Sequence, residues 1–312
     1  MNILILLMSC KLDRFKVQSE ASKISIQKQI QKHQLGNEIE VYDYVGDSET
    51  QYIENTTIHL TSNDDAHNTY DKTIECLKYI KDNIEFDYVF RTNTSTFINV
   101  KLLYEFIKHV KPIDTMWCSE LYATNNVKCP NEYDMYGRGN GMIMSRNIVD
   151  FIICNYKYGY NVTEQNKHKN DEFIISDDSS IGCVFNSIYG NETIHHIKCF
   201  PHGWYKCNDY KDGEKGNSLC NWSNTNNSYD FLSQFITIQL KDYKNRVSIQ
   251  IDKFMELTDI IMSQPFDKER VLDAVMYSLN PSVFLGYWTK LIYCDFKTWL
   301  KETTKYKLSK NI

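Results

Sequence analysis

An α/β fold, a mixed sheet flanked by helices with a helical extension at the C-terminus, is predicted for this chain by three observations. The first 110 residues alternate apolar runs with segments of 3.6-residue periodicity, the pattern of strands joined by crossover helices. The opening run, Ile3 to Leu7, is apolar at every position, as in a strand covered on both faces. Finally, 312 residues at 42% hydrophobic, with only 12 Gly and 5 Pro, are enough for a large core and contain no linker.

Each element follows from its own residues. The first strand is placed at Ile3 to Met8, ending at polar Ser9-Cys10-Lys11, and a Lys- and Gln-rich helix at about 17–34. A second strand is expected at Glu38 to Val45 and a third at Thr57 to Leu60. The polar run Thr61-Ser62-Asn63-Asp64-Asp65 suits the entry to a helix at about 66–83, in which Tyr70, Ile74 and Leu77 share a face. A fourth strand, Phe86 to Arg91, leads through Thr92-Asn93-Thr94-Ser95-Thr96 to a helix over 100–110. In an open α/β sheet ligands bind beyond the carboxyl ends of the strands, so Ser9-Cys10, Asp43-Tyr44, 61–65 and 91–95 are expected to face one crevice. From about Pro112 the pattern is less periodic. It holds Gly137-Arg138-Gly139-Asn140-Gly141, a short strand at Met142 to Met144, the pair Asp177-Asp178, and an aromatic loop from Phe200 to Trp222. A strand at Val247 to Ile251 and helices at about 253–262, 266–279 and 284–300 complete the expectation.

Composition excludes several functions. With 35 Lys and Arg against 40 Asp and Glu, the net charge is −5, and no basic run of five occurs, so nucleic acid is not an expected partner. The six-residue apolar stretch at the start is too short for a signal h-region or a membrane span, which points to a cytoplasmic protein without a membrane anchor. The 10 cysteines form no C-x-x-C pair, so a structural zinc site is not expected and the thiols are read as reduced.

Four segments, taken together, resemble the GT-A glycosyltransferases, specifically the beta-1,3-galactosyltransferase and Fringe-like group, over residues 1–205. They are Asn68-Thr69-Tyr70-Asp71-Lys72-Thr73, then Tyr88 to Val100 with Asn93-Thr94-Ser95 where the group has its D-D-D triplet. Gly137 to Ser145 is similar to the group's glycine-rich stretch, and Asp177-Asp178-Ser179-Ser180-Ile181-Gly182 to its E/D-D-x-x-x-G. The resemblance implies a GT-A, Rossmann-like sheet and transfer of one sugar from a nucleotide-sugar donor, a UDP-sugar first, to a hydroxyl of a glycan or glycosylated acceptor, with inversion. It divides the chain into a transferase domain, 1–240, with donor half 1–111 and acceptor half 112–240, and an extension, 241–312. The Asn-, Lys-, Ile- and Tyr-rich composition, together with the absence of an anchor, suits a bacterial or large-virus glycan pathway.

The resemblance also implies roles. Asp178 takes the place of the catalytic base, which needs a carboxylate within reach of the acceptor hydroxyl; Asp177-Asp178 equally suit a helix N-terminus. Ser9, Asp43, Arg91, Asn93 and Ser95 are assigned to the donor, although Asn93 to Ser95 also fit a turn or helix cap. Gly139, Asn140 and Gly141, with Asp177 and Trp204, are assigned to the acceptor or transferred sugar; Trp204 suits core packing equally well. Ser95 and His202 are the candidate ligands of a divalent cation, Mn²⁺ or Mg²⁺. That cofactor is in question, because Asn93 and Ser95 replace the carboxylates that hard cations prefer. The alternative is a GT-A-like protein that binds nucleotide or glycan without transferring sugar. A nucleotidyltransferase is disfavoured by the absence of a Gly-rich, Lys-containing loop near the first strand.

Overall fold

The computed structural model describes residues 1–65, 67–119, 121–123, 135–161, 176–206, 232–233, 235–241 and 248–278. Strands β1 (Ile3–Met8), β2 (Ile39–Val45), β4 (Thr57–His59) and β5 (Tyr88–Asn93) run parallel. Short β3 (Tyr52–Glu54) closes one edge antiparallel to β4. On the other side lie β7 (Met116–Cys118), β10 (Met142–Ser145) and β11 (Ile197–Cys199), in the order β11-β7-β10-β5-β1-β2-β4-β3. Because β10 pairs antiparallel with both β5 and β7, the eight-stranded sheet is mixed, as expected.

Alternation along β1 builds two core layers. Leu4 and Leu6 pack with α2 (Thr69–Asn83), α4 (Arg146–Asn155) and α5 (Asp177–Tyr189), whereas Ile3, Ile5 and Leu7 pack with α1 (Asp13–His33) and α3 (Val100–Val110). Asn99 caps α3 by accepting from the Leu102 N–H at 3.2 Å, and Lys111, in the left-handed region at φ 47°, ends it. Between these elements, β6 (Thr96–Ile98) leaves the large sheet and joins a second one, β12 (His202–Lys206), β13 (Thr237–Lys241), β6. A two-stranded ribbon, β8 (Leu121–Ala123) with β9 (Met135–Gly137), and the short helix α6 (Thr193–His196) complete this part. Helix α7 (Ser248–Met262) docks on α1 through Ser25 Oγ and Thr258 Oγ1 at 2.6 Å, and α8 (Glu269–Ser278) seats Val271 and Ala274 on the α3 side of the core.

Four expectations are corrected. Residues 248–251 are helical rather than a strand, and the strand of this region is β13, which spans residue 240. Strands β3 and β6 were not anticipated. Asn99, not the 93–95 run, caps α3, because β5 continues to Asn93 before the chain turns. Asp177 and Asp178 occupy the first turn of α5, with Ser176 at its cap position. Trp222 and the helix expected at 284–300 lie outside the described residues, and among those described no helix is long and apolar enough to cross a membrane. Cys118 and Cys199 are free and buried.

Candidate active site

The carboxyl ends of β1, β2, β4 and β5 share one edge, and their loops are tied together there. Lys72 of α2 donates to the Ser9 carbonyl at 2.7 Å and pairs with Asp64 at 2.7 Å, both charged side chains being 3% exposed. Glu75 receives the Thr61 and Ser62 amides at 2.8 and 2.7 Å, and these bonds hold its carboxyl down at about 2 against the upward push of its partial burial. Ser9, 4% exposed, therefore sits at the expected strand end, inside this clamp.

Alternation along β5 sends Arg91 and Asn93 to one face of this edge and Thr92 and Thr94 to the other. Arg91 has no exposed surface. It pairs with Asp177, 3% exposed, and donates to the Gly139 carbonyl at 2.8 Å and to the Tyr44 hydroxyl at 3.2 Å. Thr73 joins the group by hydrogen bonds to Asp177 at 3.2 Å and Tyr44 at 3.0 Å. Burial works against the guanidinium charge, but Asp177 and Tyr44 outweigh it and raise Arg91 above its ordinary value. The donor role expected of Arg91 and the acceptor role expected of Asp177 are thus replaced by one internal ion pair.

The Gly139 peptide links that pair to Asp178. Its carbonyl accepts from Arg91, while its N–H donates to Asp178 Oδ2 at 3.1 Å. The Ser179 amide at 2.8 Å and the Ser176 hydroxyl donate to Oδ1. Asp178 is half-buried at the amide end of α5, and a Cβ on Gly139 would lie 2.7 Å from Arg91 Nη1 and 3.7 Å from both Asn93 Nδ2 and Asp178 Cβ. Arg91, Asn93, Gly139 and Asp178 are therefore one cluster, and a residue with a side chain does not fit at 139. Asn93 is half-buried, and its Oδ1 has no hydrogen-bond partner.

On the opposite face a second chain of polar contacts runs from Thr92, which donates to the Asn140 carbonyl at 2.7 Å. It continues from Asn140 Nδ2 to His202 Nε2 at 3.4 Å and from His202 Nδ1 to Thr237 Oγ1 at 2.7 Å. Asn140 and His202, expected at the sugar and the cation, are thus brought together, and Trp204 lies two residues on in β12, in register with Gln239. The half-buried Ser95 accepts from the Leu240 amide through its carbonyl at 2.9 Å. Two further expectations are corrected. Asp43 is on the α1 side of β2, held by Ser19 at 2.7 Å, Thr57 at 2.7 Å and Lys23 at 3.2 Å, away from the Arg91 cluster. Gly141 packs against the Phe90 and Phe200 rings, where a Cβ would meet carbons at 2.9 and 3.0 Å, so its missing side chain serves the core.

A resident divalent cation does not fit what is here. Asn93 and Ser95 offer neutral oxygens, both His202 nitrogens have partners, and among the described residues no three of His, Cys, Asp and Glu gather as a ligand set. A cleft of about 510 Å³ lined by Phe86, Asp87, Lys108 and Arg146 lies at the far end of the sheet, away from this chemistry.

No protein-family model matches the chain, and no curated protein matches it. Among solved structures, similarity extends to a glycosyltransferase involved in the glycosylation of the major capsid of PBCV-1, at 8% identity and TM-score 0.39, covering 81% of this chain and 100% of that one. It extends also to the galactosyltransferase LgtC in complex with donor and acceptor sugar analogues, at 10% identity and TM-score 0.42, covering 85% and 98%. A 4-diphosphocytidyl-2C-methyl-D-erythritol synthase from Anaerococcus prevotii is similar at 10% identity and TM-score 0.33, covering 88% and 97%. These proteins span two enzyme classes, so the chemistry is argued from the residues of this chain.

Proposed function

We propose that the protein is a glycosyltransferase that moves one sugar from a nucleotide-sugar donor, a UDP-sugar first, to a hydroxyl of a glycan or glycosylated acceptor. The observation that carries this reading is Asp178. It is a half-buried carboxylate aimed by two amides and a hydroxyl, beside the unpartnered Asn93 and the side-chain-free Gly139, at the edge where α/β sheets bind their ligands. In the transfer, Asp178 takes the proton of the acceptor hydroxyl as that oxygen bonds the anomeric carbon. The bond from this carbon to the diphosphate oxygen breaks, its electron pair leaving with the nucleoside diphosphate. Attack opposite the leaving group inverts the centre. Lys11, exposed just beyond β1, and the amide end of α5 are positive groups of this edge suited to the departing charge. Arg91 and Asp177 act as positioning residues through Gly139.

The test is donor hydrolysis and transfer by wild type and Asp178→Asn, with UDP binding measured in parallel. Loss of about 10²–10⁴-fold in turnover with UDP binding intact is expected; unchanged turnover would remove Asp178 from the mechanism. The second reading, binding without transfer, is favoured by Asn93 and Ser95 in place of carboxylates. It predicts UDP binding with no turnover in either form.

A further inference from the structure

Among the buried polar atoms that lack a hydrogen-bond partner are Thr96 Oγ1 and Gln239 Oε1, in residues that are 0% and 5% exposed. They are not scattered. Thr96 and Gln239 are register partners across β6 and β13, and such partners project to the same face of a sheet. Thr237, two residues before Gln239, is on that face as well, and its hydroxyl already holds His202, which in turn meets Asn140. The opposite face of the same strands, with Phe97, Ile238 and Leu240, is closed by the apolar residues of α7. Thr96 and Gln239 therefore extend the Thr92–Asn140–His202–Thr237 chain by two oxygens, and that chain ends with valences open.

An unpartnered buried oxygen costs about 1–3 kcal/mol, so its position needs an explanation. The chemistry of the pair selects its ligand. Gln239 Oε1 can only accept and Thr96 Oγ1 can accept or donate, so both suit a ligand that brings hydroxyl donors. A phosphate brings acceptors, and a divalent cation prefers charged oxygens, of which this face of the pair has none among the described residues. We propose that Thr96 and Gln239 form a hydroxyl-reading pair for the ring of a sugar. The proposal rests on the transferase reading only for which sugar it is, the one transferred or the one that accepts.

The test uses the full chain and two near-isosteric variants, Gln239→Leu and Thr96→Val. Affinities are measured calorimetrically for UDP, for the common UDP-hexoses and UDP-xylose, and for the methyl glycosides of the same sugars. If the pair reads the donor sugar, wild type binds one UDP-sugar more tightly than UDP, and each variant loses about tenfold of that gain while UDP itself binds unchanged. If it reads the acceptor sugar, a methyl glycoside binds wild type and each variant weakens it about tenfold. Variants that bind sugars like wild type overturn the pair, as does UDP binding with no sugar contribution of either kind; both outcomes leave the nucleotide reading standing. No binding of UDP or of any sugar overturns both proposals. A second readout is independent of ligand. Removing an unsatisfied buried oxygen is expected to raise the midpoint of thermal unfolding of the free protein by about 2 °C. A fall instead would make the amide a structural element and overturn the proposal.

Discussion

The two faces of the β5 edge carry polar residues on opposite terms. On one, Arg91, Asp177, Tyr44, Thr73 and the Gly139 carbonyl answer one another, and the whole group is sealed. On the other, Thr92, Asn140, His202 and Thr237 form a chain that stops at two oxygens with nothing to bond. A sealed network makes one geometry rigid, here that of the Gly139 peptide and, through it, Asp178. An open one leaves the fold less stable than it could be, and such positions are where ligands complete a structure.

Substitutions on the sealed face should cost the most. Arg91→Met leaves the Asp177 carboxylate buried alone, and urea unfolding should register a loss of about 3–5 kcal/mol. Adding Asp177→Leu should return most of it; no recovery would mean that the pair is not the unit described. Gly139→Ala places a methyl 2.7 Å from Arg91 Nη1, and a cost of about 1–3 kcal/mol is expected from the same measurement, with turnover reduced. An alanine tolerated without loss would separate the two halves of the cluster.

Glu75 supplies a comparison from the strand edge outside both faces. Its carboxyl is held at about 2 against an ordinary 4.5, so the stability it lends is complete above pH 4.5 and disappears as pH falls toward 2. Glu75→Gln should therefore cost about 1–2 kcal/mol at pH 7, a figure lowered for the partial exposure of the group, and nothing near pH 2. A difference that persists in acid would assign the effect to packing. The open face should give the smallest change and the reverse sign: Gln239→Leu is expected to gain about 1 kcal/mol in the same titration.

How much of this was legible in the chain depended on how local the signal was. Strand β1 and helix α3 are where their residues placed them, because an uninterrupted apolar run and a 3.6-residue stripe ended by turn-forming residues need no distant partner. Gly139, Asn140, Asp178 and His202 were named in advance and do converge, since they come with short motifs. Arg91 was misassigned for a physical reason. A charged residue ahead of a polar loop reads as a ligand for an anion, and nothing nearby in the chain announces Asp177, 86 residues later, as its partner. Asp43 was misassigned in the same way, its partners Ser19 and Lys23 lying on a helix whose buried face is polar. Gln239 was missed although Ile236-Thr237-Ile238-Gln239-Leu240 alternates as a strand should. What could not be read is that its neighbour is the three-residue β6, too short to carry a pattern of its own.

That pairing also bears on how the molecule comes to be. Strands β1, β2, β4 and β5 pair with neighbours close in sequence, through crossover units that can assemble soon after they are made. Thr237 meets Ile98 across 139 residues, the difference of their numbers, and that closure is an entropic debt settled only by contacts formed after it. The nucleotide edge can therefore exist in a folding intermediate before the Thr96–Gln239 row does. A chain caught between the two stages would hold the first part of a donor with the place for its sugar still unmade.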